Sequence, residues 1–169
     1  MYTLGWIKRH NIVEFKEEIA EIALKASKEA ELLKMLRGVE AFWSISSLTV
    51  QSYKEKADTF ILGNNDDLIA KLDDTLLTVN NILASRFAER IAPKVERQLK
   101  LFRYLQELLD EWMVHQRNWL YLEPILSSPY AIKSMAKEVN IFNCADVAWK
   151  RLMKLARDYP QAKKYADDF

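Results

Sequence analysis

The sequence has very few of the residues that make tight turns. Only 3 glycines and 4 prolines occur among 169 residues, although 50% of the residues are hydrophobic. An all-β fold needs many such turns, so this scarcity argues against one and favours helices. The length and hydrophobic content suffice for one domain with a sizeable core. We therefore expect a single helical domain spanning residues 1–169.

An excess of charge of one sign, paired cysteines and long apolar runs are also lacking. The 25 Lys and Arg residues nearly balance the 24 Asp and Glu residues, so no net field attracts nucleic acid or anionic lipid. Cys144 cannot form an internal disulfide, which indicates a reducing, soluble compartment. No apolar run approaches the roughly 18 to 20 residues of a membrane span, and Met1–His10 lacks a secretory signal core. We expect no export and no nucleic-acid or membrane partner.

The glycines are too dispersed for a nucleotide site. A phosphate-binding loop needs clustered glycines before a Lys-Ser or Lys-Thr pair, because only glycine lets the backbone N–H groups close around phosphate. Gly5, Gly38 and Gly63 are far apart, and none precedes such a pair. The sequence therefore predicts that this chain neither binds nor hydrolyses ATP.

Residues that could hold a metal are poorly spaced. A di-iron helical bundle needs two Glu-x-x-His pairs, whereas Glu111 and His115 lie four residues apart. Asp66–Asp67 and Asp73–Asp74 could share a helix face and bind a cation, but an acidic helix start with a solvated face explains them better. His115 is expected to be a core or boundary residue with a hydrogen bond, and Cys144 a small buried filler. We predict no catalytic, cofactor-binding or metal-ligating residue.

The first third of the chain contains a helical pattern and then strand-like residues. From Ile12, apolar residues recur every three or four positions, with a weak spot or a break expected near Gly38 and a second break near Ser27. That stripe is Phe15, Ile19, Ile22, Ala26, Ala30, Leu33 and Leu36. Between Ser46 and Leu62, β-branched and aromatic residues surround the polar stretch Tyr53–Lys56, which predicts a small β-hairpin.

Four further helices are predicted. One should run from about Asp66 to Leu83, and a long one from about Val95 until Pro124 kinks or ends it. The long helix has two apolar rows, formed by Val95, Phe102 and Leu109 and by Leu105, Trp112, Trp119 and Leu126, with Gln98, Gln116 and Glu123 as polar interruptions. Because Trp119–Leu122 and Ile125–Leu126 are apolar all round, this end should be enclosed.

The chain after the long helix begins with a stop signal. Ser127–Pro129 should end one helix, and two more should follow it. The last helix has an apolar stripe formed by Val147, Leu152, Leu155 and Ala156, and Pro160 should close it. Together the patterns predict a mainly α fold, an elongated bundle of long antiparallel helices with at most one small hairpin.

Tryptophan, by contrast, is abundant. Five occur in the chain, and Trp43, Trp112, Trp119 and Trp149 fall within the helical patterns. Stacking on nucleic-acid bases would require interleaved Arg and Lys along an exposed groove, whereas these tryptophans lie among Leu, Ile and Met. Core packing is the better interpretation, and contact with a protein partner is the main alternative.

The order of residues along the long helix resembles the signature of dynein heavy-chain linkers. The resemblance is carried by Asp110–Trp112, then Gln116–Ile125 and Ser127–Ser128, and Glu17–Ile19 and Ile61–Gly63 are similar upstream. Within it, the signature and packing residues are Trp112, Gln116, Trp119, Tyr121, Leu122, Glu123 and Pro124. The Ser127–Ser128 ending is more similar to axonemal dyneins than to cytoplasmic ones. Departures from the pattern occur at Gln98–Leu99 and Leu126.

This resemblance implies a mechanical part of a microtubule motor. It implies the tail-side part of the linker, a lever that transmits the ATP-driven conformational change of the ring to the tail, with ATP and Mg²⁺ bound elsewhere in the intact chain. The implied partners are the ATPase ring and the remaining linker of the same heavy chain, with microtubules contacted only indirectly. The implied location is cytoskeletal, in a ciliary or flagellar axoneme, and the fragment alone should be monomeric. The alternative is a free-standing helical adaptor that binds protein partners through an aromatic groove.

Overall fold

The computed structural model describes Gly5 and residues 12–54 and 58–167, and these residues are mainly helical. After a 3-10 turn at Ile12–Phe15, the elements in chain order are α1 (Lys16–Ile45), β1 (Val50–Ser52), β2 (Phe60–Leu62), α2 (Asp66–Leu83), α3 (Ala92–Leu126), α4 (Pro129–Ser134), α5 (Ala136–Asp158) and α6 (Lys164–Asp167). The predicted fold class is confirmed. Within these residues, no helix is long and apolar enough to cross a membrane. Of Met1–His10, for which no secretory signal is predicted, the structure describes only Gly5.

The first helix is more continuous and less buried than its pattern predicts. α1 runs unbroken through Ser27 and Gly38, so the breaks considered at these two positions are wrong, and at Gly38 only the weak spot remains as a prediction. Gly38 is exposed and a Cβ on it would meet nothing within 4 Å, so glycine here lowers helix propensity by about 1 kcal/mol without forcing a bend. Leu36 and Trp43 are buried, whereas Ile22 is 66% exposed. Only the C-terminal part of the predicted stripe enters the core.

The predicted β-hairpin is present. β1 and β2 pair antiparallel, with Gln51 opposite Ile61. Phe60 and Leu62 are buried and Ile61 between them is half-buried, the alternation of a strand covered on one face. The polar turn predicted at Glu55–Lys56 lies outside the described residues. The hairpin packs against α3 and α5.

An antiparallel pair, α2 and α3, forms the centre of the fold. α2 has the predicted bounds, and the 35 residues of α3 make it about 52 Å long at 1.5 Å per residue. Gln106 of α3 donates from Nε2 to Asp73 of α2 at 2.7 Å, and Phe102 of α3 packs on Trp43 of α1 with ring centroids 5.4 Å apart. Both apolar rows predicted for α3 are buried: Val95, Phe102, Leu105, Leu109, Trp112, Trp119 and Leu126.

The C-terminal end of α3 departs from two predictions. The helix does not end at Pro124 but continues to Leu126, because a proline this close to the end removes a single backbone hydrogen bond and the last turn still closes; the alternative, a kink at Pro124, stays a prediction. The end is also not enclosed: Tyr121 is 71% exposed, and Leu122 and Ile125 are exposed as well. The hairpin and α5 cover only one side of this apolar stretch.

Three helices follow α3, where two were predicted. The Ser128 side chain accepts a hydrogen bond from the Ala131 amide and caps the short α4. α5 ends at Asp158, two residues before Pro160, and α6 lies beyond it. The stripe predicted for α5 is wrong except at Ala156, because Val147, Leu152 and Leu155 are exposed. The buried face consists of Val139, Phe142, Trp149, Met153 and Ala156.

Candidate functional site

Gln116 joins α3 to the edge of the hairpin. Its Oε1 accepts a hydrogen bond from the backbone N–H of Leu62 at 2.7 Å, and its Nε2 donates to the Leu62 carbonyl at 3.0 Å. A neighbouring strand would supply the same pair of bonds, so a single side chain satisfies both backbone groups at the sheet edge. A hydrophobic residue could not do this, which explains a polar residue in an apolar row.

Glu123 is a buried carboxylate about two turns further along α3. It is 6% exposed, and its Oε2 accepts from the Tyr53 hydroxyl at 3.1 Å and from Lys54 Nζ at 3.3 Å. A buried carboxylate without partners would be strongly destabilising, so these contacts make the position tolerable. The hydrogen bond with Tyr53 is the largest cause of a raised pKa at Lys54; burial opposes the rise and Glu123 adds to it.

Two tryptophans of α3 direct their indole N–H groups at α5. Trp112 Nε1 lies 3.3 Å from Met153 Sδ, and Trp119 Nε1 donates to Asp146 Oδ1 at 3.0 Å. The other oxygen of Asp146 pairs with Lys150 at 2.6 Å. The indole N–H groups of Trp112 and Trp119 therefore each have an acceptor. The two contacts fix α5 on α3 at points about 10 Å apart along the helix axis.

Aromatic rings fill the space between the hairpin, α3 and α5. The Trp119 ring meets Tyr53 edge-on at a centroid distance of 5.0 Å and lies 5.9 Å from Trp149. His115 is 5.1 Å from Trp149 but is exposed, so it is a boundary residue and not a core one. The core packing predicted for the tryptophans is confirmed for Trp43, Trp112, Trp119 and Trp149.

The signature residues divide into two groups. Trp112, Gln116, Trp119 and Glu123 lie on one face of α3 and contact the hairpin or α5. Tyr121, Leu122 and Pro124 lie on the exposed side and take no part in these contacts. The inward group follows the three- and four-residue spacing of the buried rows, whereas the outward group only happens to lie between them in the sequence.

Sequence reasoning missed the partners of this inward group. Tyr53 was placed in the hairpin without a contact, and Asp146 received no role. A signal for Asp146 existed, because it lies four residues after Phe142 and three before Trp149, on the face of α5 that is buried. An acid at such a position needs a polar partner inside the bundle.

The other residues considered as metal ligands or as a nucleophile are dispersed over the structure. Asp66–Asp67 and Asp73–Asp74 are exposed, as expected for a solvated helix face, and Asp73 accepts the bond from Gln106. In the described part of the chain, no three His, Cys, Asp or Glu residues are grouped closely enough to hold a metal ion. Cys144 is exposed, so its predicted role as a buried filler is wrong. It lies on the side of α5 opposite the core.

The amide and carboxylate side chains of the site are engaged with other protein groups. Gln116 binds the hairpin backbone, Glu123 binds Tyr53 and Lys54, and Asp146 receives the indole N–H of Trp119. Such contacts hold elements in a fixed arrangement. The site is therefore a structural joint that fastens the hairpin and α5 to the C-terminal half of α3.

The sequence that builds this joint matches a known family. The family model for dynein heavy chain, N-terminal region 2, matches residues 1–168. The chain belongs to the dynein heavy chain family. The family resemblance noted in the sequence is thereby confirmed.

Individual dynein heavy chains are similar over most of the segment. Dynein axonemal heavy chain 6 of Homo sapiens is 32% identical over 164 residues, which cover 97% of this chain and 4% of that protein. Dynein axonemal heavy chain 1 of Homo sapiens is 32% identical over 146 residues, 86% of this chain and 3% of that protein. Dynein axonemal heavy chain 12 of Rattus norvegicus is 29% identical over 159 residues, which cover 94% of this chain and 5% of that protein. The chain thus spans a few per cent of the length of these curated relatives.

Proposed function

We propose that this segment is a non-catalytic lever, the tail-side part of the dynein linker, which transmits the ATP-driven conformational change of the motor ring to the tail. Membership of the dynein heavy chain N-terminal region family supports the proposal. The observation that carries it is the joint: four inward signature residues fasten two other elements to one 35-residue helix. A lever needs such fixed side-to-side contacts, because a bare helix bends under load.

The partners and location follow from this proposal. The segment would act through the ATPase ring and the remaining linker of its own heavy chain and would meet microtubules only indirectly, with ATP and Mg²⁺ bound elsewhere. Nucleic acid and membranes would not be partners, and the segment alone would be monomeric. The relatives named above are axonemal dyneins, which supports a ciliary or flagellar axoneme as its location. An adaptor with an aromatic groove has less support, because the four described tryptophans are buried.

Softening α3 in the intact motor tests the lever. Lys100 and Arg103 are exposed on α3, so replacing both with glycine removes about 2 kcal/mol of helix propensity without disturbing the core. The control is Lys100→Ala with Arg103→Ala, which removes the same charges but keeps the propensity. We expect the glycine pair to slow microtubule gliding markedly and to lower basal ATP turnover much less, with circular dichroism unchanged.

Two outcomes would contradict the lever. Normal gliding with abolished nucleotide binding would place α3 in the chemistry. An equal loss of gliding and ATP turnover in the glycine pair, but not in the alanine pair, would contradict a purely mechanical role.

A further inference from the structure

The helix α5 is apolar on two opposite sides. One side carries Phe142, Trp149 and Met153 into the core. The other is exposed, and we call it the outer face of α5; its residues are Ile141, Cys144, Ala148, Leu152 and Leu155. Ile141 is 65% exposed, and Leu155 is about half exposed. A helix that is apolar on both sides is normally covered on both, so the outer face lacks its cover here.

The outer face has the spacing that a second helix fits. Its residues follow one another at intervals of three, four, four and three, which lines them up along one stripe. From Ile141 to Leu155 the stripe is about 21 Å long, or four turns. Arg151 and Lys154 border it on one side, and with part of the stripe, Val147 and Asp158 they line a shallow open groove of ≈ 660 Å³. The surface therefore suits an amphipathic helix with acidic residues along one edge.

Elements within the segment pack elsewhere. The described contacts of α5 are with α3, α4 and the hairpin. α6 lies against α3, where Tyr165 meets the Trp112 ring at 5.4 Å, and the preceding Gln161 bridges to Ser47. What covers the outer face must therefore come from outside the described residues.

The rest of the heavy chain is the candidate that fits. The segment covers 4% of human dynein axonemal heavy chain 6, so nearly all of such a chain lies outside it. α5 is the last long helix described, and elements that follow one another in sequence usually pack side by side. α1, by contrast, lies against α2, which puts the start of the segment on another part of the bundle.

We infer that the outer face of α5 is the docking surface for a helix from the part of the heavy chain that follows this segment. This rests on the proposed place of the segment within the linker. Packing at this face would then join the segment to the helices that follow it in the same rod. Arg151 and Lys154 would favour acidic residues on the docking helix.

Cys144 supplies a direct probe, because it lies in the middle of the outer face and is exposed. The rate at which N-ethylmaleimide labels Cys144 is measured by mass spectrometry of the Cys144 peptide, both in the 169-residue chain and in the intact heavy chain. We expect rapid labelling in the short chain and labelling at least about tenfold slower in the heavy chain, where reaction requires local opening. Equal rates would overturn the inference. Slow labelling in the short chain that depends on its concentration would assign the face to a second copy and would also overturn it.

A paired substitution tests the face itself. Leu152→Asp with Leu155→Asp should lower the thermal unfolding temperature of the short chain by only a few °C, because both side chains are partly exposed and the cost is mainly the lower helix propensity of aspartate. In the heavy chain the same pair should speed the labelling of Cys144 several-fold. The control is Leu77→Asp, at an exposed leucine on α2. It should lower the unfolding temperature of the short chain by no more than the pair does, and it should not change the labelling rate of Cys144 in the heavy chain. Protection of Cys144 that survives the paired substitution would show that the outer face is not what is covered.

A cross-link identifies the occupant. A photoreactive p-benzoylphenylalanine at position 148 of the intact heavy chain should form adducts with peptides that follow residue 169. Adducts with an earlier part of the heavy chain or with another polypeptide would overturn the assigned occupant. Neither labelling nor cross-linking depends on gliding or ATP turnover, so failure of the lever proposal and failure of this inference are separable.

Discussion

Replacing Trp119 with alanine should destabilise this segment more than any other single truncation within the joint. The ring is 2% exposed, meets Tyr53 and Trp149, and donates to Asp146. Truncation of a buried tryptophan typically costs about 3 to 5 kcal/mol, of which the lost hydrogen bond contributes about 1. Asp146 keeps its ion pair with Lys150, so an orphaned carboxylate adds little. The loss is a large share of the roughly 5 to 15 kcal/mol of a whole domain.

Urea unfolding followed by far-ultraviolet circular dichroism measures this loss. The matched control is Tyr121→Ala, two residues away on the same helix and 71% exposed, which should change the free energy of unfolding by less than about 0.5 kcal/mol. Trp119→Phe keeps a ring and should fall between the two, which preserves the test if the alanine variant does not fold. Equal midpoints for the Trp119→Ala variant and the parent, or an equal loss in the Tyr121→Ala variant, would refute the burial argument.

Two further predictions concern the hairpin edge and nucleotides. Gln116→Ala should lower stability by about 1 to 3 kcal/mol and speed hydrogen exchange at the Leu62 amide, because both backbone groups of Leu62 lose their partner. The control is Arg117→Ala, because Arg117 is the next residue of the helix and is exposed. Unchanged hydrogen exchange at the Leu62 amide in the Gln116→Ala variant would contradict the bridging role. The isolated segment should give no heat of binding with Mg²⁺-ATP in titration calorimetry, and a micromolar dissociation constant would refute that.

The helices α2 and α3 could be predicted with nearly their observed bounds because their buried stripes are regular. In α3, the positions from Val95 to Leu126 follow one repeat, and all seven apolar row residues are buried. The same repeat located Trp112, Gln116, Trp119 and Glu123 on one face. It could not name their partners, because Leu62 and Tyr53 lie 54 and 70 residues away in sequence. Such pairings depend on how elements pack, which periodicity along one element does not encode.

The errors have a common physical origin. In α5, Leu155 and Val147 are as hydrophobic as Phe142 and Val139, so the sequence offers two apolar sides and no means of deciding which one faces α3. In α1 the stripe through Ile22 is as regular as the part near Leu36, yet Leu36 is buried whereas Ile22 is 66% exposed on an open cleft opposite Arg86 and Arg90. Periodicity reports that a side suits burial. Burial itself depends on whether a covering element is present.

The long helix α3 is held along its two halves by different elements. Phe102 and Gln106 fasten its N-terminal half to α1 and α2, and Gln116 and Trp119 fasten its C-terminal half to the hairpin and α5. The two sets of contacts meet near Leu109, beside a small cavity of ≈ 80 Å³. Close-packed interiors yield little, whereas atoms lining a void lack contacts on one side. Deflection of this segment under load is therefore expected to concentrate where the two sets meet, with the stretches on either side behaving as stiff units.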